Sequence, residues 1–283
     1  KEMNNYFYSF WLNKGALMFL ILAKKGKILE FDARVNGHDI YGDRYPGNYI
    51  PFSFILRKKV RKIFVLSTPA INFLKKDYSL DKNKLLLMPY GINESQINKI
   101  DKEQFRIVSC SYMRPIKRID RIISALKMID VEIEWVHFGG GPLFDEVQEL
   151  IKSLPPNVSV ILKGDYSNER ILQFYKMTPV DAFVHTSESE GFGMSILEAQ
   201  AFGIPAVVYG VGGVVDIVSA VTGIVLPINS STKALAQSIL EIKTEYWQKE
   251  TTRKNIQNII YQKFSSNLVY QDLSKVLFTQ ING

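Results

Sequence analysis

Glu190-Gly191-Phe192-Gly193-Met194-Ser195-Ile196-Leu197-Glu198 is the stretch from which the fold of this chain can be read. It follows a short apolar run at 182–185, ending on His185, and opens a helical pattern near Met194. Gly191 and Gly193 let the backbone approach a ligand closely. In an open α/β sheet, ligands sit at the carboxyl ends of strands, and a helix N-terminus there offers unpaired N–H groups and a positive dipole to phosphate. Phe192, Gly193, Met194 and Ser195 are the backbone expected to face that phosphate. One glutamate lies on the loop and the other near the second helical turn. Glu198 can therefore point back over the same ligand and accept from ribose hydroxyls while Glu190 meets a hexose hydroxyl. On spacing alone, a surface role for Glu198 and a helix-dipole role for Glu190 account for the pattern equally well.

Outward from this stretch, β-rich runs at 27–34, 62–67, 84–89, 105–112, 134–138, 158–163, 182–185, 206–209 and 223–226 alternate with helical patterns. Helices are expected at 119–129, 143–153, 168–177 (opened by Asn168 as N-cap) and 194–202, and almost continuously past Ser231. Alternation of this kind specifies α/β architecture with a parallel, Rossmann-like sheet covered on both faces. The polar segment 93–104 interrupts it. We therefore expect a partial N-terminal domain over 1–98 and a second domain over 99–283. Lys1 in place of a methionine, with no complete strand-helix unit before the helical pattern at 13–24, reads as N-terminal truncation.

The 283 residues suffice for two modest cores, and 46% hydrophobic with 22% charged residues is ordinary for a globular protein. One cysteine, Cys110, excludes an internal disulfide, favours the cytoplasm and reads as a buried strand residue. The net charge of +7 suits an anionic ligand, nucleic acid or membrane surface. No nucleic-acid motif with interleaved aromatics accompanies it. The apolar run from Gly15 to Ala23 is too short to span a bilayer and is expected as a buried helix. Arg57-Lys58-Lys59-Val60-Arg61-Lys62 reads as a solvated helix terminus, or alternatively as a basic patch docking on the inner face of an anionic membrane.

Ser187 to Pro205, S-E-S-E-G-F-G-M-S-I-L-E-A-Q-A-F-G-I-P, resembles the signature of the family-four retaining glycosyltransferases of GT-B fold. The resemblance continues through Val211-Gly212-Gly213-Val214-Val215-Asp216, with Asp where the family usually has Glu. Upstream, Ser109-Cys110-Ser111-Tyr112-Met113-Arg114-Pro115-Ile116-Lys117-Arg118-Ile119-Asp120 is similar to the family's first donor-domain strand and phosphate loop. There Lys117 matches the lysine that holds the diphosphate. A family arginine five residues earlier is replaced by Tyr112, and Arg114 or Arg118 is the candidate substitute, Arg118 by adjacency. Gly139-Gly140-Gly141-Pro142 is a poor dinucleotide fingerprint, because its third glycine would fall at Phe144. In the family this turn, with Gly140, borders the nucleotide pocket, and the counterpart of Lys163-Gly164-Asp165-Tyr166 lies beside the base.

Ala33-Arg34-Val35-Asn36-Gly37-His38-Asp39 resembles the family's R-x-H-G-x-D segment, whose histidine faces the transferred sugar. Here Asn36 occupies that position and His38 follows two residues later, so Asn36 substitutes, His38 swings in, or the site is altered. The resemblance implies Glu190 and Lys117 as catalytic, Glu198 on the ribose, and a UDP- or GDP-sugar as donor. It implies a glycan or lipid-linked acceptor, and a final helix at 266–279 crossing back to the N-terminal domain. It demands neither a cofactor nor a metal ion, and no Asp-x-Asp motif is present. Transfer of a hexose in bacterial surface polysaccharide synthesis is the expected activity. A nucleotide-sugar epimerase of the same fold and a noncatalytic nucleotide-sugar-binding module are the alternatives.

Overall fold

The computed structural model describes residues 6–12, 14–42, 45–50, 53–57, 60–101 and 103–278. The chain divides into two compact units, 1–91 with 266–283, and 92–265. In the first, β1 (Tyr8–Ser9), β2 (Phe31–Val35), β3 (Val60–Val65) and β4 (Leu85–Leu87) form a parallel sheet in the order β1-β2-β3-β4. Helices α1 (Lys14–Lys24), α2 (Gly37–Ile40) and α3 (Thr68–Tyr78) connect the strands. β1 was not expected from the sequence, having only two residues.

All five residues of β2 are buried, including two charged ones. Asp32 is held by Arg61 Nε and Nη2 at 3.0 and 2.8 Å and by the Lys62 amide at 3.0 Å. Arg34 donates to Tyr8 Oη at 2.9 Å and to the Met88 carbonyl at 3.0 Å. Asp32 is thus paired with a counter-charge, whereas Arg34 is held by neutral acceptors and by the rings of Phe10 and Tyr90, 5.6 and 5.2 Å from its guanidinium carbon. The role of Arg61 corrects the reading of 57–62 as a helix terminus. Val60, Arg61 and Lys62 begin a strand, and Arg61 is drawn down to the buried carboxylate; Lys58 and Lys59 lie outside the described residues. α1 is likewise not a fully buried helix: it buries Ala16, Leu20 and Ala23 but exposes Met18 and Ile21. Among the described residues, no helix is long and apolar enough to cross a membrane.

The second unit carries six parallel strands, β5 (Arg106–Cys110), β6 (Ile133–Phe138), β7 (Val158–Leu162), β8 (Ala182–His185), β9 (Ala206–Tyr209) and β10 (Gly223–Leu226). The intervening helices are α4 (Ile119–Leu126), α5 (Phe144–Ile151), α6 (Asn168–Met177), α7 (Met194–Ala201) and α8 (Val214–Ile217). α9 (Thr232–Glu241) and α10 (Glu250–Phe264) follow β10. The sheet order is β10-β9-β8-β5-β6-β7. The chain lays down β6 and β7 on one side of β5, then returns to place β8 on the other. The crossovers after β5 and β8 therefore part to opposite faces and leave a crevice at the carboxyl ends of these two strands.

Residues 92–98 belong with this second unit rather than before a boundary at 98/99. The cause is Asn98, buried, whose amide nitrogen donates to the Tyr175 and Thr178 carbonyls at 2.6 and 2.8 Å while its oxygen accepts from Val180 N at 2.8 Å. The last helix, α11 (Ser266–Phe278), belongs to the first unit, where Val269 packs with Phe64 and Met88.

Between β5 and β6 runs a buried polar chain. Trp135 Nε1 donates to Ser109 Oγ at 2.8 Å, Ser109 Oγ meets His137 Nδ1 at 2.7 Å, and His137 Nε2 meets the Ser111 carbonyl at 3.1 Å. A carbonyl only accepts, so Nε2 carries the proton, Nδ1 accepts, and the serine hydroxyl donates. Burial pushes the His137 imidazolium down from 6.5 to about 4. The native state thus refuses a proton that the unfolded chain takes up as pH falls from 6.5 to about 4. Stability is lost across that window, by about 3 kcal/mol, and levels off below it. Urea unfolding at pH 7, 5.5 and 4.5 should show this slope, and His137→Gln, which cannot titrate, should flatten it; equal slopes would remove His137 as the cause.

Candidate functional site

Four loops at the carboxyl ends of the second sheet build the site. The loop after β5 carries the short 3-10 helix Pro115–Lys117, and the loop after β8 carries 186–193. Backbone and side chain tie them together. Glu188 N donates to the Ile116 carbonyl at 2.9 Å, and Thr186 Oγ1 reaches the carbonyls of Lys117 and Arg118 at 3.0 and 2.9 Å. The turn after β6 lies against the β5 loop. Gly139 has φ +127°, and a Cβ there would fall 2.1 Å from the Ser111 carbonyl oxygen. The turn after β9 presses on the β8 loop, since a Cβ on Gly212, at φ +49°, would fall 1.8 Å from the Glu190 carbonyl oxygen.

This clamp places Glu190 against Lys117. Lys117 Nζ donates to Glu190 Oε2 at 2.7 Å, and Gly191 N donates to Oε1 at 3.2 Å. His185, the last residue of β8, brings Nε2 to 3.3 Å from the same Oε2. Burial pushes the Glu190 carboxyl up, but the His185 contact and the Lys117 charge outweigh it and hold the group well below the usual carboxylate range. Glu190 is thus a firmly ionised, partly buried carboxylate with the Lys117 ammonium and the His185 ring against one of its oxygens.

Gly193 is the N-cap of α7, with Met194 and Ser195 as its first two residues. Helix geometry leaves the first amides of α7 without intrahelical carbonyl partners, whereas Ile196 N and Leu197 N both return to the Gly193 carbonyl. The Phe192 ring is buried, edge-on to Phe264 at 5.8 Å, so this residue offers backbone rather than side chain. One turn into α7, half-buried Glu198 accepts from Asn168 Nδ2 at 2.8 Å. Burial pushes its carboxyl up, and the Asn168 bond partly offsets this. Asn168 was expected to cap α6. The cap is instead Ser167, whose side chain accepts from Arg170 N, which frees the Asn168 amide for Glu198.

The remaining expected residues are placed differently. Arg118 is bound by Asp120, at 3.0 Å, and by Glu188, so its guanidinium is engaged on the flank of the loop rather than with Glu190. Arg114 is exposed and lies over the Tyr112 ring at 5.3 Å. Gly140 uses its backbone structurally: its amide donates to Asp165 Oδ1 at 2.8 Å and its carbonyl accepts from Met113 N at 2.7 Å. Tyr166 packs on Phe138 at 5.4 Å, with Arg170 at 4.0 Å over its ring. Cys110 is held as a thiol, its pKa pushed up to about 12 by burial and by Glu198.

Asn36 and His38 lie in the first unit. Asn36 is buried as the N-cap of α2, accepts from Tyr90 Oη at 2.6 Å and donates from its backbone amide to Asp39 Oδ2 at 2.7 Å, whereas His38 is exposed beside Tyr45. Of the two, Asn36 is the one fixed at the carboxyl end of β2. His185 was missed in the sequence because it reads as an ordinary strand end. Its signal was its place five residues before Glu190, at the tip of a buried strand. Among the described residues no group of three or more His, Cys, Asp or Glu side chains is arranged to hold a metal ion. A cavity of about 420 Å³ lies at the opposite, amino end of β5 and β8, lined by Phe105, Asp181, Lys243 and Gln248, and contains none of these loops.

The model of the family described as glycosyl transferases group 1 matches residues 92–262, more than half of the chain. The chain belongs to that family. It is 27% identical over 229 residues to the Staphylococcus aureus capsular polysaccharide biosynthesis glycosyltransferase CapM, covering 78% of this chain and 56% of that protein. It is 26% identical over 192 residues to the Bacillus anthracis N-acetyl-alpha-D-glucosaminyl L-malate synthase, covering 67% and 47% respectively. The chain thus spans about half the length of these curated relatives. Anabaena HepE, solved with UDP-glucose, matches in structure with a TM-score of 0.77 at 17% identity, over 94% of this chain and 76% of HepE. The lipopolysaccharide outer core galactosyltransferase WaaB gives the same TM-score at 15% identity, over 94% and 73%. The fold is therefore α/β of GT-B type.

Gly212→Ala should cost roughly 2–4 kcal/mol, because it combines positive φ with a collision against immovable backbone. Urea unfolding checks this, and a loss under about 0.5 kcal/mol would mean that the β9 turn does not clamp Glu190.

Proposed function

We propose that this chain is the nucleotide-sugar-binding part of a retaining glycosyltransferase that moves a hexose-type sugar from a UDP- or GDP-sugar to a glycan or lipid-linked acceptor. The observation carrying the reading is the Lys117–Glu190 pair, 2.7 Å apart, at the crevice where the strand order reverses, with the N-terminus of α7 and Glu198 on the same loop-helix unit. HepE, of like fold, was solved with UDP-glucose, and CapM is named for capsular polysaccharide biosynthesis. Bacterial surface polysaccharide is the setting these relatives suggest, with the inner face of the membrane as the place where a lipid-linked acceptor would be met.

During transfer, positive charge develops at the anomeric carbon and negative charge on the departing phosphate. The protein must stabilise the phosphate and orient the sugar. Lys117 is a flexible ammonium at a strand end, able to leave Glu190 and follow charge onto the diphosphate. The first amides of α7 add fixed partial positive charge toward the same group. Glu190, ionised and fixed by its loop, accepts from a hexose hydroxyl, and Glu198 accepts from the ribose. The leaving phosphate assists deprotonation of the acceptor on the same face of the sugar, so the reading assigns no separate basic residue.

The placements of Arg114 and Arg118 favour a second reading, a noncatalytic donor-binding module. With Tyr112 in the family arginine's place, both nearby guanidinium groups are engaged elsewhere. Transfer to an added acceptor separates the two readings.

Calorimetry with UDP- and GDP-sugars should show one donor series binding to the chain. Lys117→Ala and Glu198→Ala should each weaken it by about tenfold or more, the scale of one lost charge-assisted hydrogen bond. Unchanged affinity in both variants would place the nucleotide elsewhere.

A further inference from the structure

Resting on the assignment of Glu190 to the sugar, we propose that His185 is a positioning residue that takes over the Glu190 carboxylate when Lys117 turns to the diphosphate. His185 is 4% exposed and is fixed by strand pairing, opposite Val208 of β9. Among the described residues, its buried Nε2 has no hydrogen-bond partner of good geometry. The acceptor within reach is Glu190 Oε2 at 3.3 Å, and in this state Lys117 Nζ holds that oxygen at 2.7 Å. A buried imidazole nitrogen aimed at a carboxylate but kept just beyond a good bond is a donor awaiting the departure of a competitor.

The two partners differ in what they can do. Lys117 stands on a short 3-10 helix with a four-carbon stem, partly exposed, and can swing. The His185 ring is locked in a buried strand and cannot follow the ligand. Once the diphosphate draws Lys117 away, Glu190 keeps the Gly191 amide on Oε1 and loses its main partner on Oε2. A partly buried carboxylate left so would reorient toward water or take up a proton, and either change spoils its bond to a sugar hydroxyl. A small shift of Oε2 toward the fixed Nε2 supplies the missing bond without moving the backbone. Lys117 can then serve the phosphate while Glu190 stays aimed at the hexose.

The readout is the affinity of a nucleotide sugar relative to its bare nucleoside diphosphate, because Glu190 touches only the sugar. Calorimetry on the full chain would use UDP-glucose with UDP and GDP-mannose with GDP, keeping the pair that binds. His185→Leu should lower the sugar-to-bare affinity ratio by about tenfold, with the bare nucleotide changed less than about twofold. His185→Gln, which keeps a planar N–H donor, should stay within about threefold of the original ratio. In a Glu190→Gln background, His185→Leu should have no further effect. His185→Met replaces the leucine variant if thermal unfolding shows that variant to be unfolded. An unchanged ratio in the apolar variant, an equal loss of both ligands, or a glutamine variant no better than leucine would each overturn the proposal. Absence of nucleotide binding by the unaltered chain would instead sink the functional reading, and this proposal with it.

Discussion

The Thr186 hydroxyl, shared between the carbonyls of Lys117 and Arg118, is the contact on which the site depends. It joins two loops that the sheet itself drives apart, because the strand order reverses between β5 and β8. Without such a tie, the ammonium on one loop and the carboxylate on the other would be independent surface charges, worth little to each other in water. Held by Thr186 and by the Glu188 amide, they become a partly buried pair with a defined geometry. The clamp costs conformational freedom on both loops, and the glycine turns after β6 and β9 make it possible by letting backbone pack directly on backbone.

The architecture was legible in the sequence because buried parallel strands are continuous apolar runs and the helices between them are periodic. The placement of Lys117 and Glu190 on loops after strands, and of a helix start at Met194, was legible as well, because that local folding is set by the motif's own glycines and helix start. What escaped was decided by tertiary competition. Asn168 resembles a cap, yet Ser167 reaches the helix amides first and Asn168 turns to Glu198 thirty residues on. Arg61 looks like a solvated charge until β2 presents the buried carboxylate of Asp32, which its guanidinium grips through two nitrogens. His185 could not be told from any strand-end residue, because its significance comes only from the distance to a side chain on a loop that folds back.

Arg118 illustrates the same limit from the other direction. Adjacency to Lys117 suggested a second cation for an anionic ligand. Its left-handed backbone, φ 50°, instead turns the side chain toward Asp120 and Glu188. Position in a motif thus fixes where a side chain starts, whereas backbone conformation and neighbouring acids fix where it ends. Asn36 shows the benign case: a neutral residue in a family histidine's place is held by Tyr90 and Asp39, so the position stays ordered although its chemistry differs.

The first unit is discontinuous: its hydrophobic cluster at Phe64 and Met88 is completed by Val269 from the last helix. Synthesis proceeds from the amino end, so the second unit is made in full before the first can close. Between those moments Phe64 and Met88 lack the cover that Val269 gives them, and transiently exposed apolar side chains of this kind are prone to association and suited to chaperone capture. Residues 92–265, by contrast, are contiguous and can fold as soon as they emerge. The residues before Ile92 are therefore synthesised ahead of the second unit, yet their packing is completed only after it, by a helix that follows it in the chain.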